Sequence, residues 1–153
     1  MIKIDAGKIR RLRKTTGAPV MRAKKVLEEL KGDMKKAEAK LRKEGFEKVA
    51  KRAGRETGQG LIETYVHHSR RVASVVELLC ETDFVARNKL FRELAHNLAL
   101  QVASMGAKNE KDLLKQVFIK DPSKKVEDLV KEVIVKTGEN VKVGRIYRIE
   151  LGK

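Results

Sequence analysis

Few side chains in this sequence could do chemistry of their own. There is one cysteine, Cys80, and there are three histidines, of which His67 and His68 are adjacent. Cys80 closes an apolar run, "VASVVELLC" (72–80), and apolar surroundings disfavour the thiolate that a nucleophile needs. No neighbouring base is placed to activate it. Two adjacent histidines and one distant cysteine do not make a zinc set. They read as loop residues beside Arg70 and Arg71. The sequence contains no CxxC, HExxH or GxxxxGK[ST] pattern. No metal, cofactor or catalytic residue is therefore expected.

The residue sets suited to recognition are more informative. Residues 80–88 read "CETDFVARN", in a chain with four Phe, two Tyr and no Trp. An aromatic as scarce as Phe84 directly follows Asp83, where an apolar run gives way to a helical pattern. Two readings are open. Phe84 folds inward as a core anchor while Asp83 caps a helical turn, or the pair points outward as a polar and aromatic probe for a partner. "RKTTGAPVM" (13–21) poses the same choice. Gly17 and Pro19 shape a tight turn, and Val20 and Met21 start a helix beside Lys24 and Lys25. Met21 is either core or part of an apolar tip rimmed with cations, suited to another protein's helix.

The elements that must position these sets follow from periodicity and punctuation. Asp5 can cap a helix carrying Ile9 and Leu12, and Gly17 can end it. Pro19 suits the first position of a second helix with Met21, Val26, Leu27 and Leu30. Gly32 closes it, Asp33 can cap a third helix with Met34, Ala37 and Leu41, and Gly45 is expected to end that one. "KVAKRAGRETGQG" reads as a basic helix end followed by a linker. The period then changes. "LIETYV" (61–66) and "VASVVELLC" read as strands joined by a loop at "HHSRR". "NKLFRELAHNLALQVASM" (88–105) is helical, with Asn88 as cap and Phe91, Leu94, Leu98 and Val102 on one face. After a polar stretch, a helix at 126–138 ends on Gly138, and a third strand covers 140–151. The fold class is α+β: a three-helix N-terminal bundle (residues 1–54), then a three-stranded antiparallel sheet packed with helices (55–153).

The second strand is apolar on both sides. Val72, Val76, Leu78 and Cys80 alternate with Ala73, Val75 and Leu79, and only Ser74 and Glu77 interrupt. Such a strand has both faces covered. Two helices cover one face, so a second subunit is an economical cover for the other, and a non-covalent homodimer is expected.

Charge is unevenly spread. The net charge is +15, and residues 1–55 hold 19 Lys+Arg against 7 Asp+Glu. A basic module suits an anionic partner, either nucleic acid or an acidic protein surface, or it is simply a solvated face. Scarce aromatics and the lack of an RNA-binding motif weigh against direct nucleic-acid contact. No apolar stretch approaches the roughly 20 residues of a membrane span, and the N-terminus lacks the apolar block of a secretory signal. A lone cysteine suits a reducing cytoplasm.

"TGAPVMRAKKVL", "ETDFVARN" and "KTGENVKVGR" occur in this order. Together they closely resemble bacterial elongation factor Ts, over about residues 3–151. The resemblance implies a guanine-nucleotide exchange factor for elongation factor Tu that promotes GDP release. It also implies a UBA-like N-terminal module that docks on a helix of the GTPase. Carried over by position, Arg13, Val20, Met21 and Lys24 are the docking residues. Asp83 and Phe84 are the pair that inserts beside the nucleotide site and disturbs Mg²⁺ and phosphate binding. On this resemblance the outward reading of Phe84 outweighs the inward one. The family's usual TGAGMMD is TGAPVMR here, so Pro19, Val20 and Arg22 depart from it, and the charge reversal at Arg22 requires a different local pairing. The chain is also short, and members with a single core subdomain pair as homodimers. A basic RNA- or ribosome-binding protein is the alternative reading, and an enzyme using His67, His68 or Cys80 ranks last.

Overall fold

The computed structural model describes residues 3–153. Three helices come first: α1 (Ala6–Thr16), α2 (Val20–Glu29) and α3 (Met34–Arg52). Two strands follow, β1 (Gln59–Val66) and β2 (Val72–Cys80), then the single turn α4 (Asp83–Ala86). The long helix α5 (Lys89–Met105), the short α6 (Glu110–Lys115), α7 (Val126–Thr137) and the strand β3 (Val141–Glu150) complete the chain.

The N-terminal helices close on their own apolar cluster. Leu12, Ala23, Val26, Leu27 and Ala37 are fully buried there. The expected punctuation is mostly in place. Gly17 ends α1 in the left-handed region, with its N–H donating to the Arg13 carbonyl. The Asp33 side chain accepts the Lys36 N–H at the start of α3. Asp5 occupies the N-cap position of α1 but its side chain makes no cap bond. Pro19 lies one residue before the expected place, at the N-cap of α2.

Gly45 does not end the third helix. It lies inside α3, which continues to Arg52. A Cβ at this position would stand 3.1 Å from both Cγ atoms of Val135 on α7. The glycine lets α3 lie close against α7, and the rest of a 19-residue helix absorbs its propensity cost of about 1 kcal/mol.

The strands form one antiparallel sheet in the order β1-β2-β3. On the inner face of β2, Ser74, Val76, Leu78 and Cys80 are all buried. Ser74 does not interrupt this face, because its hydroxyl donates to the Ala99 carbonyl at 2.6 Å and is thereby satisfied. α5 lays Phe91, Leu94, Leu98 and Val102 on the same cluster, as its spacing predicts, and α7 adds Val126, Val130, Val133 and Ile134. Asn88 caps α5 by accepting the Leu90 N–H at 2.8 Å. Between α5 and α7, the stretch read as merely polar holds α6, which buries Leu113, and a loop that buries Phe118. A six-residue helix is too short for its period to show in sequence. The outer face of the sheet carries Ile62, Val66, Tyr147 and Ile149, all exposed. No described helix is long and apolar enough to cross a membrane.

Candidate partner-binding surface

The 80–88 stretch is built around a change of element. β2 ends at Cys80, and α4 begins after Thr82, whose side chain caps it by accepting the Val85 N–H. Successive residues of a helical turn point about 100° apart. Val85 turns into the core at 8% exposure, and Phe84 beside it is 80% exposed. Asp83 is also outward, in an ion pair with Arg87 at 3.0 Å. The cap is Thr82 rather than Asp83. The fold therefore has no internal use for Phe84.

Thr82 is held from the far side of the sheet end. Glu139, in the turn between α7 and β3, accepts the Thr82 N–H at 3.0 Å and its hydroxyl at 2.7 Å. Cys80 is spent structurally. Its thiol donates to the Thr82 carbonyl at 3.1 Å, and burial, with the Glu139 carboxylate nearby, pushes its pKa up. It is a poor nucleophile, as its apolar setting predicts.

The second set lies on the helical bundle. Met21 is 73% exposed and Val20 45%, so Met21 is not core. Val20 lines a shallow recess with Ala6, Ile9, Arg10 and Arg13. Arg13 is steadied at its rim by donation from Nε to the Ala18 carbonyl at 3.3 Å. Lys24 faces Glu28 at 3.9 Å along α2. The result is an apolar tip with a cationic rim, the form suited to an amphipathic or acidic protein surface. Arg22 points away from this tip. Its guanidinium makes a two-bond contact with Glu44 on α3, with Nε to Oε2 at 2.8 Å, and lies 3.8 Å from Glu29. That contact is the different pairing which the charge reversal at this position requires.

No hydrogen bond or ion pair joins the two sets among the described residues. The rings of His67 and His68 stack at 4.1 Å, and His67 Nδ1 lies 2.7 Å from the Ser69 hydroxyl. No group of metal-binding side chains is present among the described residues. Sequence reasoning missed Glu81, Glu139 and Asn140. The signal for Glu139 and Asn140 lay in "KTGENVKVGR", and that for Glu81 in the first residue of "ETDFVARN"; both stretches carried the resemblance, with no role assigned to these three residues.

Comparison with known proteins places the chain in a family. The family model described as Elongation factor TS matches residues 81–153, from Glu81 to the last residue. Elongation factor Ts of Thermotoga sp. (strain RQ2) is 38% identical, over 99% of this chain and 98% of its own length. The chain belongs to the elongation factor Ts family. That of Thermosipho melanesiensis is 37% identical, over 98% of this chain and all of its own. The Clostridium botulinum (strain ATCC 19397 / Type A) protein is 41% identical, over 98% of this chain but 49% of its own. The Thermotoga alignment runs over 195 positions, more than the 153 residues here, so that elongation factor Ts carries segments this one lacks. The family role is guanine-nucleotide exchange on elongation factor Tu during translation elongation.

Proposed function

We propose that this elongation factor Ts releases GDP from elongation factor Tu by two contacts and without covalent chemistry. The tip formed by Arg13, Val20, Met21 and Lys24 docks on the GTPase and orients the complex. Phe84, with Asp83, then enters beside the nucleotide site as a wedge. The carrying observation is Phe84 itself, 80% exposed at the end of a buried strand. The factor binds nucleotide-free GTPase more tightly than the GDP-bound form, so by linkage the bound GTPase holds GDP more weakly. A thousandfold loss of GDP affinity requires about 4 kcal/mol of coupling. One inserted aromatic and a docking patch are enough for that.

In this reading residues 1–54 are the docking module and 55–153 the core that carries the probe and a dimer face. A second copy covers the outer sheet face without a covalent link, since Cys80 is buried on the inner side. The partner is a protein rather than RNA, because the exposed aromatics with large apolar surface are only Phe84 and Tyr147 among the described residues. That is too few for a base-stacking platform. The site of action is the cytoplasm, with the translation machinery. The test is release of fluorescent GDP from elongation factor Tu followed by stopped flow. Substoichiometric chain should accelerate it many times over, and an unchanged rate refutes the reading.

A further inference from the structure

The turn that carries Phe84 is only four residues long. One helical turn does not hold itself together, because nucleation costs more than its single bond returns. Something outside α4 must fix where Phe84 points. Val85 supplies one anchor by burial. The second is a crossed pair of carboxylates at the open end of the sheet. Cys80 and Val141 are paired in the β2–β3 ladder. Just beyond them, Glu81 Oε1 accepts the Asn140 N–H at 2.6 Å, and Glu139 grips the Thr82 N–H and hydroxyl. Each glutamate holds the backbone of the opposite segment, so side chains continue the pairing where the ladder stops.

The same corner holds the end of α3. The Asn140 side-chain amide donates to the carbonyls of Ala53 and Arg55, at 3.3 and 2.8 Å. Arg55 in turn lies 3.5 Å from Glu81 and donates to the Gly138 carbonyl at 3.4 Å. Asn140 is buried at 3% exposure with both its backbone and side-chain N–H groups used. Gly138, at φ 75°, makes the left-handed turn that lets Glu139 and Asn140 follow α7 directly.

We propose that Glu139 is a positioning residue for exchange: its double hydrogen bond to Thr82 sets the direction of Phe84, while Asn140 ties the same corner to the last helix of the docking module. The inference rests on the wedge reading above. A wedge works only if its position is settled before the encounter, since ordering it in the complex would consume binding free energy. Glu139 touches neither docking residue nor probe tip. Its loss should therefore act on the strained complex and spare docking.

The test is saturating GDP release from elongation factor Tu by the full-length chain. Glu139→Ala should lower the maximal rate about tenfold, equivalent to ~1.4 kcal/mol of lost coupling, with KM close to that of the unaltered chain. Glu139→Gln should restore most of the rate, because its amide can accept the Thr82 N–H and donate to the Thr82 oxygen. In a Phe84→Ala background, Glu139→Ala should add nothing, since the group it positions is gone. Full additivity in that background, a rise in KM with the maximal rate intact, or no recovery in Glu139→Gln overturns the inference. Should Glu139→Ala fail to fold, Thr82→Val removes the hydroxyl, and with it both one bond to Glu139 and the long 3.4 Å cap bond from Val85, and should still lower the maximal rate a few times over; an unchanged rate there also overturns it. If Phe84→Ala alone leaves exchange intact, the wedge reading itself fails, which is a separate result from additivity.

Discussion

Phe84 and Val85 are consecutive residues with opposite fates: Phe84 is 80% exposed and Val85 is 8% exposed, packed on the main cluster. The difference separates recognition from stability within one turn. Phe84→Ala should leave the melting temperature nearly unchanged, because an exposed side chain contributes little to the fold. It should cut the maximal rate of GDP release, since a wedge acts on the strained complex. Val85→Ala should instead lower stability by about 1.5–3 kcal/mol, and because Val85 anchors the turn that carries Phe84 it should also lower the maximal rate, by less than Phe84→Ala. Thermal unfolding and saturating exchange kinetics on the same two samples decide. A large drop in melting temperature for Phe84→Ala would show that it serves packing.

The docking tip should behave differently from the probe. Met21 and Val20 are exposed and contribute little to the bundle core. Replacing both by alanine should raise KM about tenfold, equivalent to ~1.4 kcal/mol of binding, with the maximal rate and the melting temperature held. A titration of exchange rate against factor concentration measures this. A lowered maximal rate with unchanged KM would move these residues from docking to nucleotide release.

The sequence conveyed the elements better than their contacts. α5 and β2 were legible because their periods, about 3.6 and 2, run long enough to exclude alternatives. Gly45 misled because a glycine in a helical pattern reads equally as a stop and as a close approach, and only the position of Val135 decides. α6 was invisible because six residues complete fewer than two turns. Phe84 was ambiguous from composition, since an aromatic at an element end usually packs inward. Its direction depends on Val85 and Glu139, one of them 55 positions away in sequence. The partners of Glu81, Glu139 and Asn140 are long-range in the same way and leave no periodic trace.

Acid should weaken the contact between α2 and α3 in a defined direction. The hydrogen bond from Arg22 is the main influence holding the Glu44 carboxyl below its ordinary range, against a smaller opposing effect of burial. The folded state thus takes up a proton less readily than the unfolded chain. The stabilisation is complete above the unfolded glutamate value of about 4.3 and is lost as pH falls through the lower folded value. Melting temperatures of the unaltered chain and Glu44→Gln, measured from neutral pH down to about pH 3, should converge as the acid limb is descended. A constant gap across that range would mean that the charge of Glu44 contributes nothing.

The outer sheet face sets the last expectation. Ile62 on β1 and Tyr147 and Ile149 on β3 are exposed, at 66%, 57% and 73%. Between them run Ala73, Val75 and Leu79 of β2, half-buried by their neighbours. Glu77, opposite Ile62 and paired with Arg145 at 2.9 Å, interrupts this otherwise apolar face, and an apolar patch of this kind is seldom left to water. A stable dimer hides roughly 800 Å² on each partner, an area that one face of a three-stranded sheet can supply. The unaltered chain should therefore sediment at twice its 17.3 kDa at micromolar concentration, with or without reductant, because Cys80 is buried on the opposite side. Ile149→Glu should produce a folded monomer, since an unpaired carboxylate cannot be buried between two sheets without a cost of several kcal/mol. Its melting temperature should then lose the concentration dependence expected of a dimer. Sedimentation equilibrium on both proteins is the measurement. A monomeric unaltered chain, or a dimer that survives Ile149→Glu, would show that this face is not where two copies meet.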